Sequence, residues 1–260
     1  MNRRVEGAAL VFWTDWEGVN MPGTLYGIGV GPGDPELLTL KAVKVLGEVS
    51  HVFAASSSKN DYSLAESIVA AHLPSGVPVE RLSFPMTFNS ESLENAWTTN
   101  CEKITRILLQ GDNVAFLTIG DPLTFSTFIY IMRKIEKRLP KVEIKVIPGI
   151  TAYQAAAACA ALPLAEGEES ITVMSMAKGE SRLKRAVECS ENVVLMKTYK
   201  QFPKILSQIK EEGLEDNCWL ISRCGLEGEI IERDFDKLSK MEQPHYLSLM
   251  IIKRDETDRK

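Results

Sequence analysis

The sequence lacks long hydrophobic runs and the ligand patterns that are usual in metal sites. None of its apolar stretches approaches the ~20 residues that a membrane span requires. Its three histidines (His51, His72 and His245) are far apart, and its five cysteines form no C-x-x-C pair. The sequence therefore predicts a reduced, cytoplasmic protein that holds no metal of its own. The net charge of −5 and the missing spans also predict no nucleic-acid and no membrane partner.

The sequence also lacks the fingerprints of several common enzyme sites. It contains no G-x-G-x-x-G and no G-x-x-x-x-G-K-[ST], the patterns of dinucleotide and Walker-type phosphate loops. No G-x-S-x-G is present, and Ser126 has no histidine near it in the sequence. No helical pattern carries an obvious pair of carboxylates for acid–base work. The sequence therefore shows neither a nucleophile–base pair nor a phosphate loop.

Length and composition predict a globular protein of two domains. A chain of 260 residues lies at the size where a single core stops growing. Hydrophobic residues make up 45% and charged residues 25%, which is usual for globular proteins. Residues 1–20 carry a short apolar run interrupted by Asp15 and Glu17, so we expect a poorly ordered extension rather than a signal peptide. The two domains are expected to span residues 21–149 and 150–260.

Strand and helix patterns alternate up to residue 150. Such alternation predicts an α/β fold with a parallel, doubly wound sheet. The strand-like runs cover 25–30, 51–55, 79–83, 113–119 and 143–147, and the helical patterns cover 36–47, 63–72, 90–110 and 124–138.

The pattern changes after Pro148-Gly149. A helix of small residues at 152–161 comes first, and two further helices are predicted at 182–188 and 201–212. The last two strands have little helix between them, so the second sheet is predicted to be mixed rather than parallel. The strands of this sheet are predicted at 170–176, 192–197, 218–222, 229–232 and 246–253.

A glycine-rich turn follows the first strand, in the segment Leu25-Tyr26-Gly27-Ile28-Gly29-Val30-Gly31-Pro32-Gly33-Asp34-Pro35. Glycines at the end of a strand allow a ligand to approach the backbone closely. A phosphate loop offers successive backbone N–H groups, but Pro32 and Pro35 have none, and Asp34 would repel an anion. The turn therefore predicts a binding crevice for a ligand without phosphate.

Two further strands end in similar turns, Gly120-Asp121-Pro122 and Pro148-Gly149-Ile150-Thr151-Ala152. Asp121 is predicted to cap the following helix, with Pro122 in its first turn. Because the carboxyl ends of parallel strands lie at one edge of a sheet, these turns predict a shared crevice. With no acid–base pair in view, the crevice favours a reaction whose substrates carry the reactivity, such as methyl transfer from a sulfonium.

These turns carry a resemblance to a known family. Residues 25–42, Gly120-Asp121-Pro122 and residues 148–152, in this order and spacing, resemble the tetrapyrrole (corrin/porphyrin) methylases, and the resemblance covers about residues 23 to 253. Within that family, residues 125–130 (Phe-Ser-Thr-Phe-Ile-Tyr) are most similar to the branch that methylates C20 of precorrin-2 or cobalt-factor II in cobalamin biosynthesis. The sequence does not indicate whether the substrate carries cobalt.

The resemblance implies a two-domain homodimer that binds S-adenosylmethionine, with S-adenosylhomocysteine as product, in a cleft between a parallel N-terminal sheet and a mixed C-terminal sheet. It implies a set of cofactor-binding residues by motif. These are Pro32, Gly120, Asp121, Leu123, Ser126, Thr127, Thr151, Ala152, Met196, Gly225, Leu226 and Leu247.

A tetrapyrrole bears many carboxylates, so an acidic enzyme needs local positive charge for it. We expect Lys59, Lys197 and Lys200 to bind the substrate, and Arg133 and the Arg182, Lys184 and Arg185 group are further candidates. The catalytic residues are not identified, with Tyr62 and Tyr130 as candidates. Three alternatives stay open: a methylase acting at another ring position, a relative acting on another kind of substrate, and a non-catalytic module that senses a nucleotide.

Overall fold

The computed structural model describes residues 21–57, 63–85, 87, 89–177 and 182–254. The expected extension at 1–20 and the candidates Lys59 and Tyr62 lie outside these residues. A search of the described helices for one of sufficient length and apolar character to span a bilayer finds none.

The first half of the chain alternates strands and helices, as the sequence predicts. Two short 3-10 segments, Pro35–Leu37 and Ala70–His72, accompany them. The strands are β1 Leu25–Gly29, β2 His51–Ser57, β3 Val79–Phe84, β4 Val114–Thr118 and β5 Ile144–Ile147. The helices are α1 Leu40–Leu46, α2 Leu64–Val69, α3 Ser90–Leu109 and α4 Phe128–Arg138.

These five strands form one parallel sheet in the order β3-β2-β4-β1-β5. Every residue of β4 is buried, because helices cover both faces of the sheet. Ala115 and Leu117 belong to a core with α1 and α2, whereas Val114 and Phe116 belong to a core with α3 and α4. The predicted doubly wound arrangement is confirmed.

The second half forms another five-stranded sheet, in the order β6-β7-β10-β8-β9. Only β6 and β7 are parallel, and the other three pairs are antiparallel, which confirms the predicted mixed sheet. Two short 3-10 segments, Thr198–Lys200 and Glu215–Asn217, also occur. The strands are β6 Ile171–Ser175, β7 Asn192–Met196, β8 Cys218–Ser222, β9 Ile230–Glu232 and β10 Ser248–Lys253, and the helices are α5 Ala152–Cys159, α6 Leu183–Cys189, α7 Phe202–Glu211 and α8 Phe235–Ser239.

The two halves have separate cores. Two clusters of buried apolar residues lie wholly within the first half and two within the second. Half-buried Leu226 and Leu247 of the second half pack against the core that includes α1 and α2, so the halves meet at this point. We propose that they are the two expected domains, residues 21–149 and 150–260.

Candidate functional site

Three glycine turns of the first sheet pack directly on one another. The Gly120 N–H donates to the Gly31 carbonyl at 2.8 Å, and the Gly31 N–H donates in return at 3.4 Å. A Cβ placed on Gly149 would lie 2.2 Å from the Gly120 carbonyl oxygen and 2.8 Å from the Gly29 carbonyl carbon. Since real Cβ atoms do not approach backbone so closely, only glycine lets these turns form one continuous floor.

The glycines therefore serve contacts within the protein. The sequence-based expectation assigned them to the approach of a ligand. A Cβ on Gly27 would meet the Phe128 ring at 2.3 Å, and one on Gly33 would lie 2.9 Å from the Cys224 carbonyl oxygen. Gly33 thus marks where the opening turn packs against the second half of the chain.

Asp121 connects two of the turns and does not cap a helix. Its Oδ1 accepts from the Leu123 N–H at 2.9 Å, and its Oδ2 accepts from the Gly149 N–H at 3.3 Å. The predicted helix start near residue 124 is therefore wrong, because α4 begins only at Phe128. There the Ser126 hydroxyl accepts from the Phe128 N–H at 3.0 Å and stands in for the cap.

A cavity of about 410 Å³ lies above this floor, between the carboxyl ends of strands from both sheets. We call it the inner cavity. Its volume falls within the range of small-molecule sites in proteins. Ten of the twelve predicted cofactor-binding residues line it: Pro32, Gly120, Asp121, Ser126, Thr127, Thr151, Ala152, Met196, Leu226 and Leu247.

A second, more open space of about 590 Å³ adjoins the inner cavity, and we call it the outer chamber. Leu123 and the catalytic candidate Tyr130 line it, with the cations Arg133 and Lys197. Among the described residues that line it there is no carboxylate. The two spaces share six lining residues: Thr124, Phe125, Ser126, Thr127, Tyr153 and Lys197.

Backbone strain is concentrated at this site. In the described part of the chain, four non-glycine residues have positive φ, and three of them line the inner cavity: Phe125 at 51°, Lys197 at 59° and Arg223 at 56°. A left-handed conformation of this kind costs about 1–3 kcal/mol per residue and is concentrated at functional sites. Arg223 was not predicted from the sequence. It directly follows β8, however, and the predicted site residues in the glycine turns also follow strands, so its position could have indicated it.

Lys197 is a cation that lines both spaces. Its Nζ lies 3.5 Å from the Phe125 carbonyl oxygen, at the boundary between the two spaces. Burial lowers the pKa of Lys197 below its ordinary value, because a desolvated ammonium loses hydration. Burial and the nearby Arg223 likewise lower the pKa of His245, which precedes the lining residues Tyr246 and Leu247. A bound anion would stabilise the charged form of Lys197 and so raise its pKa again.

The buried hydroxyl groups of the site are already engaged. The Ser126 hydroxyl lies 2.9 Å from that of Thr118 in addition to its bond with the start of α4. The Thr151 hydroxyl donates to Gln154 Oε1 at 2.8 Å within the capping box that begins α5. Because these bonds fix both hydroxyls, Ser126 and Thr151 shape the cavity rather than supply a nucleophile.

Three further predicted residues, Gly225, Tyr130 and Lys200, differ in how close they lie to the two spaces. Gly225 is not among the described lining residues, but a Cβ there would lie 3.1 Å from the backbone nitrogen of Asp34. Tyr130 stacks on Trp97 with ring centroids 4.5 Å apart. Lys200 lines neither space, and its Nζ lies 5.7 Å from the centroid of the Tyr199 ring.

The basic group near residue 182 also lies apart from both sets of lining residues. Lys184 forms an ion pair with Glu212 at 3.6 Å on the exposed surface. Arg182 and Arg185 likewise line neither space among the described residues. The described substrate candidates that reach the outer chamber are therefore Lys197 and Arg133.

A doubly wound parallel half, a mixed half and a cavity at their strand ends define an α/β protein built to bind small molecules in a cleft. Residues 24–237 match the family model of the Tetrapyrrole (Corrin/Porphyrin) Methylases. The chain belongs to this family.

Curated relatives and solved structures agree with this assignment. The chain is 31% identical to the cobalt-precorrin-2 C(20)-methyltransferase of Salmonella typhimurium, over 90% of this chain and 98% of that protein. It is 36% identical to the probable cobalt-precorrin-2 C(20)-methyltransferase of Methanocaldococcus jannaschii, over 88% and 96%. The fold matches uroporphyrin-III C-methyltransferase of Thermus thermophilus, solved with S-adenosylhomocysteine, with a TM-score of 0.67 and 20% identity over 89% of this chain and 92% of that one.

Proposed function

We propose that this chain transfers a methyl group from S-adenosylmethionine to C20 of precorrin-2 or of its cobalt form, as part of cobalamin biosynthesis. The observation that carries the proposal is the pair of adjoining spaces. A cavity lined by the predicted cofactor residues adjoins a chamber that carries Lys197 and Arg133, and the two share one wall. A methyl donor in the first and a polycarboxylate acceptor in the second would meet at that wall.

In this proposal the inner cavity holds S-adenosylmethionine, in contact with the ten predicted residues that line it, and cofactor contacts of Leu123 and Gly225 stay predictions. The cavity fits a ligand of this kind because its floor is backbone, closed by the turns at Gly31, Gly120 and Gly149. The outer chamber holds the tetrapyrrole, with Lys197 and Arg133 toward its carboxylates. Roles for Lys59 and Lys200 in substrate binding, and for Tyr62 or Tyr130 in catalysis, stay predictions.

When bound, the sulfonium donor supplies an activated methyl group, and the acceptor carbon takes it as the carbon–sulfur bond breaks. The electron pair of that bond stays on sulfur, S-adenosylhomocysteine is the product, and the proton that C20 gives up on methylation leaves to solvent. The protein contributes position: the shared wall holds the acceptor in line with the methyl group, and burial excludes water. Positioning of this kind can supply about 7–11 kcal/mol of the barrier reduction. The proposed transfer assigns no step to a metal held by the protein.

Calorimetry and a turnover assay together test the proposal. We expect one molecule of S-adenosylhomocysteine to bind per chain, and ATP, at the same concentrations, to give no heat of binding. We further expect S-adenosylhomocysteine to form from S-adenosylmethionine only when precorrin-2 or its cobalt form is present. Binding of ATP in preference to S-adenosylhomocysteine, or no turnover with either tetrapyrrole, would contradict it.

The side chain of Asp121 is expected to support cofactor binding through the turns. Asp121→Ala removes the acceptors for Leu123 and Gly149, so we expect S-adenosylhomocysteine to bind about 10- to 100-fold more weakly. Asp121→Asn keeps one acceptor and should lose less. Calorimetry measures both. An Asp121→Ala variant that binds normally and loses only turnover would instead place this carboxylate in the chemical step.

We also propose that the protein is a cytoplasmic homodimer. The five cysteines are free thiols, which suits a reducing compartment. At the edge of the second sheet, β9 leaves Ile230 and Ile231 exposed, and the unpaired backbone groups of an edge strand can pair with another chain. Light scattering of the purified protein at micromolar concentration should give twice the chain mass, and a monomer would contradict this assembly.

A further inference from the structure

Three side chains from separate segments converge beside the inner cavity. Cys159 ends α5, Cys224 follows β8, and Glu229 precedes β9. The two Sγ atoms lie 3.0 Å apart, and Cys159 Sγ lies 3.4 Å from Glu229 Oε2. The ligand atoms of the three residues all lie within 4.8 Å of one another. The spacing of these residues in the sequence does not predict the group. They become neighbours because the fold brings the end of α5 to the loop between β8 and β9.

The carboxylate of this cluster is held in place by the backbone. The Gly225 N–H donates to Glu229 Oε2 at 2.8 Å, so the oxygen nearest Cys159 is fixed by a loop that also carries Cys224. Arg223 and Gly225, on either side of Cys224, both have left-handed conformations. This loop thus presents one sulfur and one carboxylate oxygen toward the exposed end of α5.

Two sulfurs and a carboxylate form a donor set for a borderline-soft divalent cation such as Zn²⁺. With Zn–S bonds of about 2.3 Å, a tetrahedral ion holds two sulfurs about 3.8 Å apart. The Sγ atoms therefore need to separate by less than 1 Å, and Cys159 lies exposed at a helix end, where it can move. A disulfide would need the sulfurs to close to about 2.05 Å and would leave the carboxylate without a role.

We propose that Cys159, Cys224 and Glu229 bind one divalent cation of the Zn²⁺ class, with water as the fourth ligand. Each thiol releases its proton to solvent as its sulfur binds the ion. The ion would tie α5 to the loop that packs on Gly33, and so would stiffen one wall of the inner cavity. This site differs from the sequence-based expectation of no protein-bound metal, and it does not depend on the proposed methyl transfer.

Titration with Co²⁺ and Zn²⁺ tests this site. The reduced, metal-free full chain is titrated with Co²⁺, and thiolate-to-cobalt charge-transfer absorption is recorded. We expect one Co²⁺ per chain, displaced by Zn²⁺. At free Zn²⁺ one hundred times the Kd, the unfolding midpoint should rise by about 5–10 °C.

Variants show whether the ion occupies the predicted ligands. Cys159→Ser and Cys224→Ser should each weaken Co²⁺ binding and the charge-transfer band, and the double variant should lose the band. Glu229→Gln should bind Co²⁺ at least about tenfold more weakly. Cys189→Ser, which removes an exposed thiol outside the cluster, should bind like the unmodified chain. The proposal is overturned if the unmodified chain binds no more Co²⁺ than the Cys159→Ser/Cys224→Ser double variant. It is also overturned if these cysteines form a disulfide and the reduced chain takes up no metal.

Discussion

Replacing Gly149 with alanine is expected to destabilise the protein by about 3 kcal/mol or more, at the upper end of the range for overpacking. The added Cβ would lie 2.2 Å from the Gly120 carbonyl oxygen and 2.8 Å from the Gly29 carbonyl carbon. Both are backbone atoms of neighbouring turns, so no side chain can rotate away to make room. The turns must separate, which also opens the floor of the inner cavity. Urea unfolding, followed by tryptophan fluorescence, measures the loss.

Gly47 offers a matched control for this substitution. It ends α1 with φ at −74°, and a Cβ there would lie 3.4 Å from the Lys44 carbonyl oxygen, an ordinary contact. We therefore expect Gly47→Ala to change the free energy of unfolding by less than about 1 kcal/mol. Equal stability of the Gly149→Ala and Gly47→Ala variants would show that the three turns do not pack as described.

Replacing Lys197 with methionine is expected to raise the KM for the tetrapyrrole by about 10- to 100-fold, since a hydrogen bond to a charged group contributes about 1.5–3 kcal/mol. Methionine keeps the length of the side chain and removes its charge. The ammonium of Lys197 lies at the boundary of the two spaces and is partly desolvated, so a substrate carboxylate is its natural partner. The affinity for S-adenosylhomocysteine should change less than about threefold, because the proposal directs the Lys197 ammonium to the substrate carboxylates in the outer chamber.

Two further variants test whether the effect on the KM comes from the charge of Lys197 at the site or from the loss of any positive charge. Lys197→Arg keeps the cation and should retain more substrate affinity than Lys197→Met. Lys204→Met removes an exposed lysine of α7 that lines neither space and should leave the KM unchanged. Steady-state kinetics with varied tetrapyrrole measures all three. A Lys197→Met enzyme with an unchanged KM, or an equal rise in the Lys204→Met enzyme, would remove Lys197 from the substrate site.

Much of the fold could be predicted because its signals are local. Strand–helix alternation predicted the parallel sheet, and the short connection between the last two predicted strands favoured the mixed sheet. Helix α8 lies in that connection and was not predicted. The start of α4 could not be predicted in this way. Asp121 looks like a helix cap in sequence, but its carboxylate bonds to Gly149, which is 28 residues further along the chain. A contact of this range leaves no trace in the neighbouring residues.

The candidate site likewise contains residues that the local sequence predicted and residues that only the folded structure identifies. The turns at Gly31, Gly120 and Gly149 were predicted because each directly follows a strand. Arg223 and Tyr246 line the same cavity from the second half and were not predicted, although Arg223 also follows a strand. The packing of that half against Gly33 contributes to placing both residues at the cavity. The cluster of Cys159, Cys224 and Glu229 was missed for the same reason, since tertiary packing alone makes its residues neighbours.

The position of the transferred methyl group decides whether this chain methylates C20. The protein is incubated with precorrin-2, or separately with its cobalt form, and S-adenosylmethionine labelled with ¹³C in the methyl group, and the product is examined by NMR. We expect one labelled methyl group per macrocycle, bonded to C20. A label bonded to another carbon, or no labelled tetrapyrrole from either substrate, would contradict it.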